Sequence, residues 1–247
     1  MDDPLPNPVV EIRDLSRVHR TRDRTFEIYA PSIMIEAGGF YAVVGPSGSG
    51  KSTLLDMLAL VRRPTAIGSF KMWPGNESVF DIGEIWRTGG DSDLADLRRS
   101  AIGYVLQTGG LLPFLNVSAN VALPLKLLGA RARSSDILKM LDEFGMRQHA
   151  RKAPNQLSGG ERQRVAVVRA LAHNPALVLA DEPTASVDRA LARNIVLGLA
   201  DRARSRGAAV VMVTHDEALV EGIADRRIRL VRSGEQADQV RYETVLE

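Results

Sequence analysis

The chain has 247 residues, 45% of them hydrophobic, enough to bury a full core, so one large domain or one domain carrying an insertion is expected. Its 32 basic residues stand against 30 acidic ones, and a net charge of +2 is too weak a field to point to a nucleic-acid partner. With no cysteine there are no disulfides and no thiolate chemistry.

The amino terminus, "MDDPLPNPVVEI", is acidic and broken by proline, and lacks the basic start and apolar run of a secretion signal. No window approaches the ~20 uninterrupted apolar residues of a membrane span. The first clear strand is Phe40–Val44, a short run apolar throughout, as in a strand buried on both faces. "GPSGSGKST" follows, and "KSTLLDMLALV" after it reads as a helix. A glycine-rich turn between strand and helix leaves backbone N–H groups converging on one concavity, backed by the positive end of the helix dipole. Gly45, Pro46, Ser47, Gly48, Ser49, Gly50, Lys51, Ser52 and Thr53 thus make an anion cradle. The spacing is that of the P-loop, in which the lysine reaches β- and γ-phosphates and the hydroxyl of Ser52 ligates Mg²⁺.

Further strands are expected at Ile102–Leu106, Leu177–Ala180 and Ala208–Val213, with helices at Glu161–His173 and Asp188–Ala203 between them. Alternating strand and helix implies a parallel α/β sheet covered on both faces. From about 91 to 157 the pattern turns helical: "NVSANVALPLKLLGA", interrupted by Pro124, and "SSDILKMLDEFGM" are amphipathic. The expected division is a core of 1–90 and 158–235, a helical insertion at about 91–157 and a C-terminal tail at 236–247. In "LSGGERQRVAVVRAL", Ser158 and Glu161 have capping-box spacing, while Gly159 and Gly160 suit a backbone that approaches a phosphate. In "LVLADEP" an apolar strand ends in two carboxylates, where α/β proteins bind ligands. There Asp181 can hold the Mg²⁺ shell and Glu182 can polarise a water beside the γ-phosphate.

The P-loop, "LSGGERQR" and "LVLADEP" occur in the order found in ATP-binding cassette ATPases, and the chain resembles that family from about Val9 to Arg232. The resemblance implies a P-loop NTPase core with an inserted helical subdomain and an antiparallel β subdomain, and ATP with Mg²⁺ as cofactors. It also implies a head-to-tail homodimer in which each ATP lies between the P-loop of one subunit and Ser158, Gly159 and Gly160 of the other. By the same resemblance Gln107 in "YVLQTGG" is the Q-loop glutamine that touches Mg²⁺ and water, Asp188 in "TASVD" the D-loop aspartate, and His215 in "VMVTHD" the switch histidine. His19 in "LSRVHR" stands where relatives usually place an adenine-stacking aromatic ring. "TASVD" also departs from the commoner Gly-Asn-Leu-Asp wording, and "WPGNESVFDIGEIWRTGGDSD" reads as an elaborated surface loop.

Within the family, "LLPFLNVSANVALPL" with the signature looks most like the lipoprotein-releasing and macrolide-exporter group. That likeness implies an integral membrane permease subunit as partner and a cytoplasmic position on the inner face of the membrane. An amino-acid importer ATPase or a soluble non-transport cassette is the alternative. Leu111, Leu112, Phe114 and Leu115 are expected to form an apolar docking patch beside the Q-loop.

Overall fold

A computed structural model describes residues 7–22, 24–75, 78–185, 187–236 and 239–247. Residues 1–6 of the acidic terminus, Asn76 and Glu77 of the tryptophan-flanked stretch and Ser186 of "TASVD" lie outside the described residues. The elements in chain order are β1 (Pro8–Arg20), β2 (Thr25–Glu36), β3 (Phe40–Val44), α1 (Lys51–Leu58), β4 (Ala66–Gly75), β5 (Ser78–Asp81), α2 (Ile82–Thr88), α3 (Asp91–Ala101), β6 (Ile102–Val105) and α4 (Val117–Leu127). They continue with α5 (Ser134–Glu143), α6 (Gly159–Leu171), β7 (Leu177–Asp181), α7 (Arg189–Arg206), β8 (Ala209–Val213), α8 (Glu217–Val220), β9 (Arg226–Gln236) and β10 (Gln239–Leu246). No helix among them is long and apolar enough to cross a membrane.

The described strands form one sheet in the order β5-β4-β1-β2-β10-β9-β3-β8-β7-β6. From β9 to β6 the pairing is parallel. The apolar runs expected from sequence sit here, and alternation explains them. Tyr41, Val43, Leu179 and Val211 face one side with α1, while Phe40, Ala42, Val178 and Val210 face the other with α6 and α7. The antiparallel half, β5 to β2, was expected only from the family resemblance. In β1 the buried Val10, Ile12 and Leu15 are interleaved with charged residues, so only part of the strand is apolar.

Four expectations need correction. The stretch 236–247 is not a tail: β10 inserts between β2 and β9, parallel to the first and antiparallel to the second. The helical insertion starts later than residue 91, because Leu94, Leu97 and Ala101 of α3 belong to the main core. Its own core joins Val117, Val121, Ile137, Leu141, Met146 and Leu157 to Val165 and Val168 of α6. The described part of the tryptophan-flanked stretch is not a loop but the end of β4, β5 and α2, with Trp86 buried against Phe70 at 5.8 Å between ring centroids. Pro124 does not break α4, which runs through it. One turn earlier, the buried Asn120 side chain holds the preceding loop, accepting from the Leu112 amide at 2.8 Å and donating to the carbonyls of Leu112 and Leu115 at 3.1 and 3.0 Å.

Candidate functional site

β3 delivers the chain into the P-loop and α1 leaves it. Gly50 adopts φ 95°, and a Cβ there would lie 2.2 Å from Ile28 Cδ1, so both backbone and packing demand glycine. Gly45 is confined in the same way by the Leu230 carbonyl, 2.9 Å from where a Cβ would be. No side chain caps the start of α1 and no acid occupies its first turn, which leaves the amides there for an anion. Lys51 is buried, its Nζ donating to the carbonyls of Gly45 and Pro46 at 2.9 Å each. Burial pulls its pKa down, against the opposing effect of Glu182 and Asp181. Ser47, Gly48, Gly50, Lys51, Ser52 and Thr53 line one cleft together with Glu182, His215 and Phe26. Ser49 departs from expectation: its side chain turns inward, fully buried and without a hydrogen-bond partner among the described residues.

Asp181 ends β7 in register with Val213 of β8, and Ser52 Oγ donates to its Oδ1 at 3.1 Å. Burial is the main cause that raises the Asp181 pKa, with the Ser52 bond opposing and Glu182 and Asp56 adding to it. A hydroxyl and a carboxylate oxygen so close are the donor set that a hard cation such as Mg²⁺ takes alongside phosphate oxygens. The next residue, Glu182, stands at φ 44° with its amide donating to the Val213 carbonyl at 3.2 Å. This left-handed turn aims the carboxylate between two partners brought from distant parts of the chain. His215 Nε2 lies 2.6 Å from Oε1, and Gln107 Nε2 donates to Oε2 at 3.3 Å. Lys51, Ser52, Gln107, Asp181, Glu182 and His215 are therefore one constellation, able to bind a polyphosphate and orient a water.

Other expected residues lie apart from it. Ser158 caps α6, its Oγ accepting from the Glu161 amide at 3.2 Å, and neither it nor Gly159 or Gly160 lines the P-loop cleft. Gly160 has a packing reason as well, since a Cβ would lie 2.9 Å from Leu191 Cδ2 and 3.0 Å from Val187 Cγ1. Asp188 caps α7 by accepting from the Leu191 amide at 3.0 Å. His19 is exposed and does not line the cleft, whereas its cross-strand partner Phe26 does. Phe26 is backed by Tyr242 of β10 at 5.6 Å between centroids. Sequence reasoning missed Phe26, because only strand register shows that it faces His19 across β1 and β2. It also missed Arg169, whose Nη1 and Nη2 hold the Gly110 and Gly109 carbonyls after Gln107 at 2.7 and 3.0 Å. A hollow of about 480 Å³ between α5, α6 and α7 is reached by Arg164 of the signature but by no P-loop residue, nor by Gln107, Asp181, Glu182 or His215.

A parallel P-loop core with a helical insertion, a "LSGGE" helix start and a strand ending in Asp-Glu defines a class, and the family model described as ABC transporter matches residues 30–185. The chain belongs to the ABC transporter family and is an ATPase. Within that family it is similar to ATP-binding proteins of the lipoprotein-releasing and macrolide-export type. It is 35% identical over 242 residues to the lipoprotein-releasing system ATP-binding protein LolD of Hyphomonas neptunium, covering 96% of this chain and 100% of that one. It is 33% identical over 251 residues to the macrolide export ATP-binding/permease protein MacB of the same organism, covering 95% of this chain but 37% of that longer protein. The dimeric post-hydrolysis structure of the ATP-binding cassette MJ0796, bound to ADP and Pi, superposes with a TM-score of 0.75 at 31% identity, covering 95% of this chain and 98% of that one.

Proposed function

We propose that the chain pairs head-to-tail with a second copy on binding ATP and energises a separate membrane permease. The work would be of the mechanotransmission kind done by lipoprotein-releasing and macrolide-export systems. The observation that carries this reading is the separation of the two glycine-bearing sites: the P-loop cleft has no signature residue in its lining. Each half is completed if Ser158, Gly159 and Gly160 of a second copy close over the nucleotide, with Asp188 at the seam between copies. Lys51 and the loop amides take the β- and γ-phosphates, Glu182 orients the attacking water, and His215 fixes Glu182 from the far side. Ser52 and Asp181, with Gln107 beside them, would hold Mg²⁺, which supplies neutralisation of phosphate charge. The subunit would then sit on the cytoplasmic face of the inner membrane, held there by its permease. Copurification with an integral membrane protein, and ATP-dependent dimerisation of the Glu182→Gln protein, test the reading; a hydrolytically competent monomer with no membrane partner would sink it.

Base recognition within this site is expected to fall to Phe26. Phe26→Ala should weaken ATP while leaving inorganic tripolyphosphate unchanged, by on the order of 1 kcal/mol, or about fivefold. Titrating both ligands against Phe26→Ala and His19→Tyr decides between the two rings. A His19 variant that alone alters ATP affinity would return the stacking role to His19.

The permease contact is expected at Phe114. Of the four apolar residues expected there, Leu111 packs into the cores on either side, and Leu112 and Leu115 are partly buried in the loop held by Asn120. Phe114 alone is largely free, at 77% exposed. Phe114→Ala should abolish permease association or permease-stimulated ATPase without moving the melting temperature of the isolated subunit. Retained association, or a melt several degrees lower, would remove Phe114 from the interface.

A further inference from the structure

The turn that leads into the signature carries a histidine that the nucleotide chemistry does not use. His149 ends a single 3₁₀ turn, Arg147–His149, at the edge of the helical insertion. Its side chain is 13% exposed, and Nε2 lies 3.2 Å from Glu161 Oε1. Nδ1 is buried and has no hydrogen-bond partner among the described residues. Glu161 is held below the usual carboxylate range, chiefly by the Ser158 amide, so it accepts only, and the shared proton belongs on Nε2.

The other oxygen of Glu161 is also engaged. Oε2 accepts from the Ser158 amide at 2.7 Å, and Ser158 Oγ accepts from the Glu161 amide at 3.2 Å. A capping box requires only these last two bonds. The imidazole adds a third, which fixes a carboxylate oxygen that would otherwise face solvent. The turn bearing His149 is itself fastened to the start of α4, where the amides of Val117 and Ser118 donate to the carbonyls of Lys152 and Ala150 at 2.9 Å each. Hydrogen bonds thus run without a break from the beginning of α4, three residues past Phe114, to the signature serine.

We propose that His149 is a positioning residue for Ser158: through Glu161 it holds the start of α6 in one arrangement and delivers displacements of the helical insertion to the serine that meets the second copy's nucleotide. This rests on the two-subunit reading above. The physical reason is that a hydroxyl able to stabilise developing phosphate charge must be placed to within a fraction of an ångström. A helix start capped by two bonds tolerates more rotation than one fixed by three.

The experiment measures kcat of the full chain, ATP affinity without Mg²⁺ and melting temperature for His149→Ala, His149→Gln, Ser158→Ala and the His149→Ala/Ser158→Ala pair. His149→Ala should lower kcat on the order of tenfold with affinity and melting temperature unchanged. His149→Gln, whose side-chain amide can still donate to Glu161, should recover most of the rate. In the Ser158→Ala background the histidine change should cost nothing further, because both act through one hydroxyl. The proposal is overturned by a kcat within about twofold of wild type for His149→Ala, by a glutamine variant as slow as the alanine one, or by losses that multiply in the pair. If Ser158→Ala is slow and His149→Ala is not, only the role of His149 fails; if Ser158→Ala turns over normally, the two-subunit reading fails with it.

Discussion

Glu182→Gln is expected to slow ATP hydrolysis by roughly 10²–10⁴-fold while preserving ATP binding and trapping the ATP-bound pair of subunits. The carboxylate lines the P-loop cleft just past the end of β7, and it is held by donors on both oxygens. Glutamine keeps the shape but loses the base. His215 can still donate to the remaining carbonyl oxygen, whereas Gln107 meets a second amide nitrogen and must turn over to present its own oxygen. The variant therefore removes proton acceptance and unsettles the Q-loop side together. Single-turnover hydrolysis with wild-type nucleotide affinity is the supporting result, and near-normal turnover would take Glu182 out of the water-orienting role.

Lys51→Ala should act earlier, on binding. Charge-assisted hydrogen bonds of this kind contribute about 1.5–3 kcal/mol, so ATP affinity should fall roughly 10- to 100-fold. The loop should suffer too, since the carbonyls of Gly45 and Pro46 both lose their donor. Equal affinities for wild type and variant, by direct titration, would contradict the phosphate-contact assignment. A fall in affinity larger than the expected range would show that the cradle itself collapses without the lysine.

The parallel half of the fold was legible because its strands are buried on both faces and write themselves as unbroken apolar runs: "FYAVV", "LVLA" and "AVVMV" are strands where expected. The other half was not legible, because its alternation is carried by charged residues. The same holds for β9, the strand where the parallel pairing begins and which pairs antiparallel with β10: Ile228 and Leu230 point into the core while Arg227 and Arg229 point out, and Arg229 closes a paired bond to Glu217 at 3.0 Å from each terminal nitrogen. The site divides in the same way. Lys51, Ser52, Asp181 and Glu182 lie within contiguous motifs whose chemistry can be read directly. Phe26 and His149 owe their places to strand register and to the folding-back of a turn, which leave no local pattern.

The insertion of β10 between β2 and β9 also orders the steps by which the molecule can be completed during synthesis. Gln239 pairs with Thr25 and Val240 with Phe26, so residues from opposite ends of the chain share adjacent places in the sheet. Until β10 leaves the ribosome, β2 and β9 have no neighbour between them, and Phe26 lacks the ring of Tyr242 behind it. The P-loop and its helix also emerge ahead of their partners, since β3 pairs with β8 and β9, and the wall of the nucleotide cleft at Phe26 waits for β10. Nascent chains are thereby kept from assembling a finished ATP site before β10 is in place.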